Sequence, residues 1–549
     1  MALRDGRRAR LRRAARGRPG FVALGCGLYA AAALAATWPA VQHAGSRFLA
    51  GGANGYGEAA PGDHLQTGYR LWLVGHQLEQ GRAPWRDPYS FRPEVGSQLN
   101  PAGWPFGLPY WPLARSFGAV GGWNAFVLLS YLGAGGLACW WLRSLGLERG
   151  PALVGGLAYA LAPYRVAQSA GHLLGVIALL LPLALVGLER ARSPGRGRYA
   201  WLALAGAALA SIPLSGQVHL ALGAIPFFCL YALCRRRELR YLGGVALGAA
   251  AAVGAGYAIR HSLIAGSIDA GGRSLAEVDF YSADWQDLVS RSRRHGNEQF
   301  ALLGWATPVL ALAGLTLLVR ARRVGLAVAL GVGTAVPTLL ALGTNLPLYR
   351  QLWEVVGPLR YPRVPERLLP IACLSLAALA AFAAARLRWR LAPALVAALV
   401  LVDLRAGVTL YGASAADEGN AAYAAVAAAP AGRLLELPVF LPDRHFGSVY
   451  LYYSLQAWRE RPLGYSTLAP LRADEIARQL RPLACGDWSG GGEALLSRLG
   501  VRYVAVHRGL YTKNPIVRGP CYEPALRGLE AHGFRPLARD GAVSVFVRA

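Results

Sequence analysis

The chain is poor in charged residues and nearly lacks lysine. Asp, Glu, Lys and Arg together make up 16% of its 549 residues, whereas soluble domains carry roughly 25%. This shortage excludes a disordered chain, which combines low hydrophobicity with high charge, and it argues against an ordinary soluble enzyme. The lack of lysine beside abundant Ala, Gly and Arg is typical of a coding bias, and no chemistry is inferred from it.

Motifs of several familiar classes are also missing. The sequence has no phosphate-binding loop that ends in Gly-Lys-Ser/Thr, no HExxH pair and no convincing nucleophile elbow, which argues against an ATP-driven transporter or a membrane zinc protease. None of the seven cysteines has zinc-finger or redox spacing. Cys485 and Cys521 alone lie in the polar C-terminal part, where they could form one disulfide if that part is extracytoplasmic.

Long apolar runs separated by arginine clusters dominate the chain. It is 54% hydrophobic with a formal charge of +27, and its mean hydropathy is +0.31. At roughly 17–25 residues per span, a first helix is predicted over about 21–41; a cleaved signal peptide is the alternative. Further spans are predicted near 120–142, 150–166, 171–189, 199–214, 216–234, 241–262, 300–319, 324–343, 367–386 and 390–410. The short pairs around Pro163 and Pro213 are expected to be tilted or broken.

The arginine clusters set the predicted orientation. If the basic segment 1–20 is cytoplasmic, alternate loops should be rich in arginine. The predicted inside loops all meet this rule: 143–149, 189–198, 235–240, 320–323 and 386–390. Membrane topology therefore explains the positive charge better than nucleic-acid binding does. About eleven spans place the C-terminus outside a bacterial cytoplasmic membrane.

The predicted fold class is a mainly α polytopic membrane protein with a C-terminal extracytoplasmic α/β domain. The transmembrane domain covers 21–410, with large outer loops at about 42–118, 262–299 and 343–366. The last domain covers 411–549. Its pattern predicts strands at 433–440, 501–507 and 542–548, and helices at 473–483, 493–500 and 524–533.

The first outer loop contains an Asp63-His64 pair followed by an amphipathic stretch. The apolar face of this stretch consists of Leu65, Tyr69, Trp72 and Leu73. It is expected to lie on the membrane surface, with Asp63 at the interface near a helix N-terminus. Asp is a preferred N-cap residue, so the local sequence favours a capping role over a catalytic one, although the two can coexist.

Several patterns resemble the GT-C superfamily of polytopic glycosyltransferases. In the first outer loop these are Asp-x-x-Gln (Asp63, Gln66), then Gly-x-x-Pro (Gly81, Pro84), then Asp87. Segment 157–192, with its Pro-Tyr and Gly-His between two spans, is also similar. So is 357–382, which resembles bacterial members with a C-terminal outer domain. The resemblance covers most of the membrane region and rests on patterns, since no single motif is diagnostic.

The resemblance implies a membrane glycosyltransferase that uses a polyprenyl-phosphate-linked sugar at the outer face. The acceptor would be a cell-wall glycan, a lipid or a protein, and no nucleic acid is expected. Asp63 best matches the family's acidic residue. The Asp-x-Asp or Glu-x-Asp form of some members is absent, because Leu65 stands two residues after Asp63. Metal use is therefore open, with Mg²⁺ or Mn²⁺ as the possible cation.

The predicted roles follow from what such a transfer needs. A carboxylate takes the proton of an acceptor hydroxyl, and cations hold the donor phosphate as charge develops on it. Asp63 is the predicted base, with His64 orienting it or taking the proton itself, and Asp87 is the reserve base. The predicted phosphate-binding residues are Arg360, Arg363, Arg367 and Arg165. The predicted substrate-binding residues are Gln66, His172 and Gln168.

Structural alternatives stand beside these roles. The three arginines at 360–367 could pair with Glu354 or Glu366 or contact ordinary lipid headgroups. His172 and His219 could make interhelical hydrogen bonds. The second outer loop alternates acidic and basic blocks over 279–295, which is typical of a solvated surface, and no catalyst is placed there.

Two other function classes remain open on the sequence alone. A lipid or glycolipid transporter would line its path with polar residues, although the inverted hydropathy repeats that would support it are not visible. A non-catalytic cell-envelope assembly subunit would depend on the outer domain and not on Asp63.

Overall fold

The structure is a computed structural model that describes residues 18–195, 197–292, 298, 300–512, 514–517 and 519–548. The basic segment 1–17 and residues 293–297 of the second outer loop lie outside the described residues.

Helices account for most of the described chain. In chain order they are α1 (Arg18–Thr37), α2 (Asp63–Glu79), α3 (Gly107–Ser144), α4 (Arg149–Ala160), α5 (Pro163–Ser169), α6 (Leu174–Ile177), α7 (Leu180–Ala191), α8 (Arg198–Leu214), α9 (Val218–Arg235), α10 (Leu239–Ile259), α11 (Leu275–Phe280), α12 (Ala306–Arg320), α13 (Val324–Ala341), α14 (Tyr349–Val355), α15 (Leu369–Ala384), α16 (Ala392–Arg405), α17 (Ala421–Ala428), α18 (Ser448–Tyr453), α19 (Leu471–Leu480), α20 (Gly492–Arg498), α21 (Arg508–Tyr511) and α22 (Tyr522–Ala531).

The strands are short and fall into three sheets. In chain order they are β1 (Phe48–Ala50), β2 (Arg86–Asp87), β3 (Gln98–Leu99), β4 (Gly412–Ser414), β5 (Arg433–Leu437), β6 (Val501–His507), β7 (Phe534–Asp540) and β8 (Val543–Arg548). Strands β1 and β4 pair, β2 and β3 pair, and the remaining four form one sheet.

Seven helical segments of the described chain are long and apolar enough to cross a membrane. They are Pro19–Thr37, Gly107–Ser144, Leu174–Ala191, Val218–Arg235, Leu239–Ile264, Val324–Ala341 and Pro365–Ala384. The shorter helices α8 and α12 are also apolar. These lengths and compositions are those of an integral membrane protein. The count of about eleven spans stays a prediction.

Two predicted spans are divided in the structure. The span predicted over 150–166 is broken at Pro163, as expected for this pair, because α4 ends at Ala160 and α5 begins at Pro163. Proline disfavours helical backbone in the residue before it, and Ala162 has a ψ of 121°. The span predicted over 171–189 begins only at Leu174 and is split between α6 and α7.

The helix predicted over 120–142 is longer than expected. Helix α3 already begins at Gly107 and contains a break at Gly118, whose φ is 72°. Glycine adopts this left-handed backbone at little cost. The helix therefore extends through a kink at Gly118 into the segment that was expected to end the first outer loop.

The described chain divides into two compact units. Of the described residues, unit 1 contains those within 18–38, 127–257 and 272–410, and unit 2 contains those within 39–126, 258–271 and 411–548. In unit 1, α15 is buried along its whole length, with α12, α13 and α4 packed around it. A helix that is apolar on every side belongs in such an interior position.

Unit 2 is built around the four-stranded sheet. Its strand order is β5-β6-β8-β7, with β5 parallel to β6 and the other neighbours antiparallel. Strands β5, β6 and β8 fall where the sequence pattern predicted strands. Strand β7 was missed because it lies at the sheet edge and four of its seven residues are exposed, so it has no continuous apolar pattern. Cys485 and Cys521 form a disulfide in this unit.

Helix α2 does not present an apolar face to a surface. Ten of its 17 residues are buried, and it packs against α18 and the turn Pro101–Gly103. The prediction that this stretch lies on the membrane surface was therefore wrong. Its periodic apolar residues face protein, because the C-terminal part of the chain covers them, as in the cluster of Tyr69 and Leu73 with Leu451 and Tyr465.

Candidate active site

The first residue of α2 is Asp63, and a tyrosine from the far end of the chain holds it. The N-cap is Gly62, and it makes no side-chain capping bond. The Tyr465 hydroxyl donates to Asp63 Oδ1 at 2.8 Å. Asp63 is thus not the N-cap that the local sequence favoured. A carboxylate in the first turn still gains from the helix dipole.

Asp63, Gln66 and Arg70 lie on one face of α2, at positions i, i+3 and i+7. Gln66 Nε2 donates to the backbone carbonyl of Tyr465 at 2.8 Å. Two residues of this face therefore hold Tyr465, one through its backbone and one through its hydroxyl. Because both contacts start from a rigid helix, the carboxylate of Asp63 has a defined direction.

Asp87 is held differently, since neutral donors occupy both of its oxygens. Oδ1 accepts from the Tyr69 hydroxyl at 2.9 Å, from Tyr89 N at 2.9 Å and from Ser90 N at 3.2 Å. Oδ2 accepts from the Ser90 hydroxyl at 2.8 Å. A general base needs a lone pair open to its substrate. These contacts favour Asp87 as the anchor of the 87–90 turn, and the role of Asp63 as the base stays a prediction.

A cavity of about 80 Å³ lies beside these residues in unit 2. Its wall is formed by Tyr69, Arg70, Asp87, Ser90, Phe91, Gln98, Leu99, Asn100, Pro101, Leu263, Leu451, Tyr465, Ser466, Leu468 and Pro470. Burial lowers the pKa of Arg70, and the surrounding Tyr465, Asp87, Tyr69 and Asp63 act in the opposite direction. The cavity therefore combines apolar walls with a cation and a carboxylate.

His64 faces away from polar partners. Its ring lies against Phe48 at 5.1 Å and Trp123 at 6.4 Å between centroids. It is 3% exposed, and burial lowers its pKa to about 4, with Asp63 opposing the shift. The ring is neutral at physiological pH. This setting favours a packing role, and its part in catalysis stays a prediction.

The sequence analysis missed three residues near Asp63. Tyr465 and Arg70 have been described, and His445 is the third, since the charge of Asp63 acts on it while burial lowers its pKa. The heptad spacing of Asp63 and Arg70 was the one available signal. Tyr465 and His445 lie far away along the chain, so no local pattern could have placed them.

Arg165, predicted to bind phosphate, is occupied inside unit 1. It is fully buried, and it donates to the carbonyls of Ala160 at 2.5 Å and Gly175 at 3.2 Å. Its guanidinium also lies over the Tyr131 ring, 4.6 Å from the centroid. Backbone groups thus use its donors, and Arg165 does not fit the predicted role.

Two of the remaining predicted arginines of unit 1 are also engaged. Arg367 Nη2 pairs with Glu298 Oε1 at 2.8 Å, and His172 lies 3.4 Å from the same oxygen. Arg360 donates to the carbonyl of Glu354 at 2.6 Å. The alternative of a salt bridge to Glu366 was wrong, because both of its buried oxygens have no hydrogen-bond partner in the described chain.

Arg363 is different from its neighbours. It lies over the Tyr281 ring, 5.1 Å from the centroid, and has no hydrogen bond or ion pair with a described residue. Its phosphate role stays a prediction, as does substrate binding by His172 and by Gln168, which is fully buried in α5.

Metal binding has little support from the side chains. Within the described ranges, no three His, Cys, Asp or Glu side chains come together in an arrangement that could hold a metal ion. The residues around Asp63 therefore do not by themselves fit a resident Mg²⁺ or Mn²⁺.

Comparison with known proteins identifies the fold. No family model and no curated protein sequence matches the chain. Among solved structures, it is similar to the arabinofuranosyltransferase AftD from mycobacteria, with a TM-score of 0.58 at 17% identity over 97% of this chain and 40% of that one. It also resembles the apo oligosaccharyltransferase of Archaeoglobus fulgidus, with a TM-score of 0.51 at 12% identity over 91% of this chain and 72% of that one.

A second structure of the Archaeoglobus fulgidus oligosaccharyltransferase, AglB with an inhibitory peptide and a dolichol-phosphate, has a TM-score of 0.50 at 11% identity. The matched region covers 96% of this chain and 74% of that one. At such identities the likeness concerns the fold. The chain has a GT-C-like fold, as the sequence resemblance predicted, and it spans about 40% of the length of AftD.

Proposed function

We propose that the protein is an integral-membrane glycosyltransferase. It moves a sugar from a polyprenyl-phosphate-linked donor to an extracytoplasmic acceptor, which is a cell-wall glycan, a lipid or a protein. The GT-C-like fold supports the class, since the similar structures include an arabinofuranosyltransferase and an oligosaccharyltransferase solved with dolichol-phosphate. The observation that carries the proposal is Asp63 itself, which is held by Tyr465 at the start of a rigid helix.

The proposed reaction is a displacement at the anomeric carbon. Asp63 takes the proton of the acceptor hydroxyl as the hydroxyl oxygen bonds to that carbon. The bond from the carbon to the phosphate oxygen breaks, and its electron pair leaves with the lipid phosphate. The donor is already activated, so the protein has to position the groups and stabilise the leaving charge.

Tyr465 acts as a positioning residue in this scheme. Its hydroxyl occupies Asp63 Oδ1 and so orients the carboxylate toward an acceptor. Gln66 supports it from one helical turn away through the Tyr465 carbonyl. Precise support of this kind is what a reacting group on a scaffold requires.

The proposed location is the bacterial cytoplasmic membrane, with the N-terminus in the cytoplasm and residues 411–549 outside. The arginine-rich loops between the apolar runs support this orientation. Lipid-linked sugars and envelope acceptors meet on the outer side, which agrees with a base in the first outer loop.

A divalent cation is not given a step in this reaction, since the described side chains do not form a metal site. Transfer in the presence of EDTA tests the point. Loss of activity that Mg²⁺ or Mn²⁺ restores would show that substrate groups complete a metal site.

The decisive experiment is a transfer assay with the full chain in lipid nanodiscs. Labelled polyprenyl-phosphate sugars are supplied with an envelope extract as acceptor. Asp63→Asn is expected to lower kcat by at least about 100-fold, because a general base contributes typically 10²- to 10⁴-fold. Tyr465→Phe is expected to lower kcat by roughly 10-fold with little change in KM, because one hydrogen bond to a charged group is lost.

Asp487→Asn is the matched control, since Asp487 is an exposed carboxylate of unit 2. Its activity should equal that of the unmodified protein. Full activity of Asp63→Asn would remove Asp63 from the reaction. Movement of labelled lipid without a new glycosidic bond would instead favour a transporter, and envelope defects that depend on residues 411–549 but not on Asp63 would favour an assembly subunit.

A further inference from the structure

The cavity beside Asp63 contains polar groups whose partners are missing. Arg70 lines it, and the Arg70 side chain makes no hydrogen bond or ion pair with another residue in the described ranges. Asn100 Oδ1 is buried and likewise has no partner among those residues, while Asn100 Nδ2 donates to the Arg70 carbonyl at 2.7 Å. A buried polar group without a hydrogen-bond partner destabilises a protein, so both groups favour a polar ligand in this cavity.

Arg70 is more than the counter-ion of the nearby carboxylates. Neutral donors already occupy both oxygens of Asp87, and Tyr465 holds Asp63. Neither carboxylate engages the guanidinium directly. An arginine that only neutralised these carboxylates at long range would not need to line a cavity. The five N–H groups of Arg are therefore available to an anion with several oxygens, and a phosphate suits their planar arrangement.

The cavity has room for such a group. About 10–15 Å³ of cavity volume holds one water molecule, so this cavity of about 80 Å³ holds several. Ser466 also lines the wall, and its hydroxyl oxygen accepts from the Leu468 backbone N–H. Apolar residues such as Phe91, Leu99 and Leu468 form much of the rest, which strengthens a charged contact by excluding water.

We propose that this cavity binds the sugar-phosphate part of the donor, with Arg70 holding the phosphate and Asn100 Oδ1 accepting a hydroxyl of the sugar. The proposal rests on the proposed function and assigns its donor subsite. It moves the phosphate contact to the first outer loop, away from the arginines that the sequence pattern favoured.

The placement of Arg70 relative to Asp63 suits the reaction. Seven residues separate them on one helix face, which is about 10 Å along the axis at 1.5 Å per residue. A base and the phosphate that leaves cannot touch, because the acceptor oxygen and the anomeric carbon must lie between them. Two helical turns with a long arginine side chain provide this separation.

The test compares two probes that differ only in the phosphate. Farnesyl phosphate and farnesol are titrated against the full chain in uncharged phosphatidylcholine nanodiscs. The unmodified protein should bind the phosphate at least 10-fold more tightly. Arg70→Gln should remove this preference, a loss of roughly 10- to 100-fold in affinity for the phosphate. Arg70→Lys should restore it only in part, because a point charge replaces a fork.

Two arginine variants serve as comparisons. Arg86→Gln is the matched control, because Arg86 is exposed and its side chain donates to the Ser97 carbonyl, and it should keep the preference. Arg363→Gln examines the competing assignment. Loss of the preference in Arg363→Gln with full retention in Arg70→Gln would overturn the inference, and so would an unmodified protein that binds both probes equally.

The role of Asn100 has its own measurement. Asn100→Ala should raise KM for the sugar donor by 10-fold or more but leave the affinity for farnesyl phosphate, which carries no sugar, unchanged. Equal effects on both would disprove the hydroxyl contact. Thermal unfolding of each variant checks that it is folded. An unmodified protein that binds the phosphate selectively but transfers no sugar would refute the proposed function and keep the anion site, whereas active transfer with unchanged binding in Arg70→Gln would refute the site alone.

Discussion

The stability of unit 2 should depend strongly on one buried ion pair, between Arg461 and Glu436. Arg461 Nε donates to Glu436 Oε1, and the two side chains are 1% and 0% exposed. Arg461 also donates to the carbonyls of Arg459 at 2.8 Å and Ala457 at 2.9 Å. Breaking such a pair costs about 3–5 kcal/mol, because one charge stays buried without its partner.

The two single variants should not cost the same. Arg cannot lose its proton in a protein, so Glu436→Leu leaves a permanent buried charge and should cost about 4–5 kcal/mol. Burial raises the pKa of Glu436, while Arg461 opposes the shift. After Arg461→Met the Glu436 carboxyl can therefore take up a proton, and the loss in free energy of unfolding should be about 3 kcal/mol.

The double variant is the decisive member of this set. It buries no charge and removes one donor from each carbonyl, of which Ala457 O still accepts from Arg459 N at 2.9 Å, so we expect a loss of about 1–2 kcal/mol, less than either single variant. Thermal unfolding in nanodiscs, followed by tryptophan fluorescence, should rank the proteins as unmodified, double, Arg461→Met and Glu436→Leu. A double variant less stable than both singles would refute the reasoning.

Two further predictions concern the stability of unit 2. The pKa of His64 is lowered to about 4 from about 6.5 in the unfolded chain. The neutral ring's contribution to the free energy of unfolding is therefore complete above pH 6.5, and about 3 kcal/mol is lost as the pH falls toward 4. His64→Gln should lose less stability than the unmodified protein between pH 7 and pH 4.5, and an equal loss would contradict this. The disulfide closes a sequence separation of 36 residues and should contribute about 3–4 kcal/mol, so the Cys485→Ser/Cys521→Ser protein should unfold at a lower temperature, and unchanged unfolding would disprove it.

Long apolar runs predicted a mainly helical membrane protein, because such segments have few other stable arrangements. The break at Pro163 was expected from the proline, whereas the kink at Gly118, where a local backbone preference acts within a helix, was not. Strands with buried residues, such as β6, were visible for the same reason. The edge strand β7 was not visible, because four of its seven residues are exposed, as residues of loops commonly are.

The candidate site was predictable only at its helix. Asp63 and Gln66 came from a local pattern, and Arg70 could have come from the same helical spacing. Tyr465 lies 402 residues from Asp63 along the chain, and its contact depends on tertiary packing that no local motif records. Among the arginines, pattern alone could not distinguish Arg165, whose donors serve backbone carbonyls, from one that is open to a ligand.

The ion pair and the site are coupled through one segment of the first outer loop. Arg461 N donates to the Tyr89 carbonyl at 2.8 Å, and Arg92 N donates to the Arg461 carbonyl at 2.7 Å. Between them lies Ser90, which fixes Asp87, and Asp87 in turn accepts from Tyr69 on α2. The buried pair therefore holds the loop segment 89–92, which braces the helix carrying Asp63. A protein that needs a carboxylate held in one direction gains from this arrangement, because the charged pair makes any other path of the loop costly.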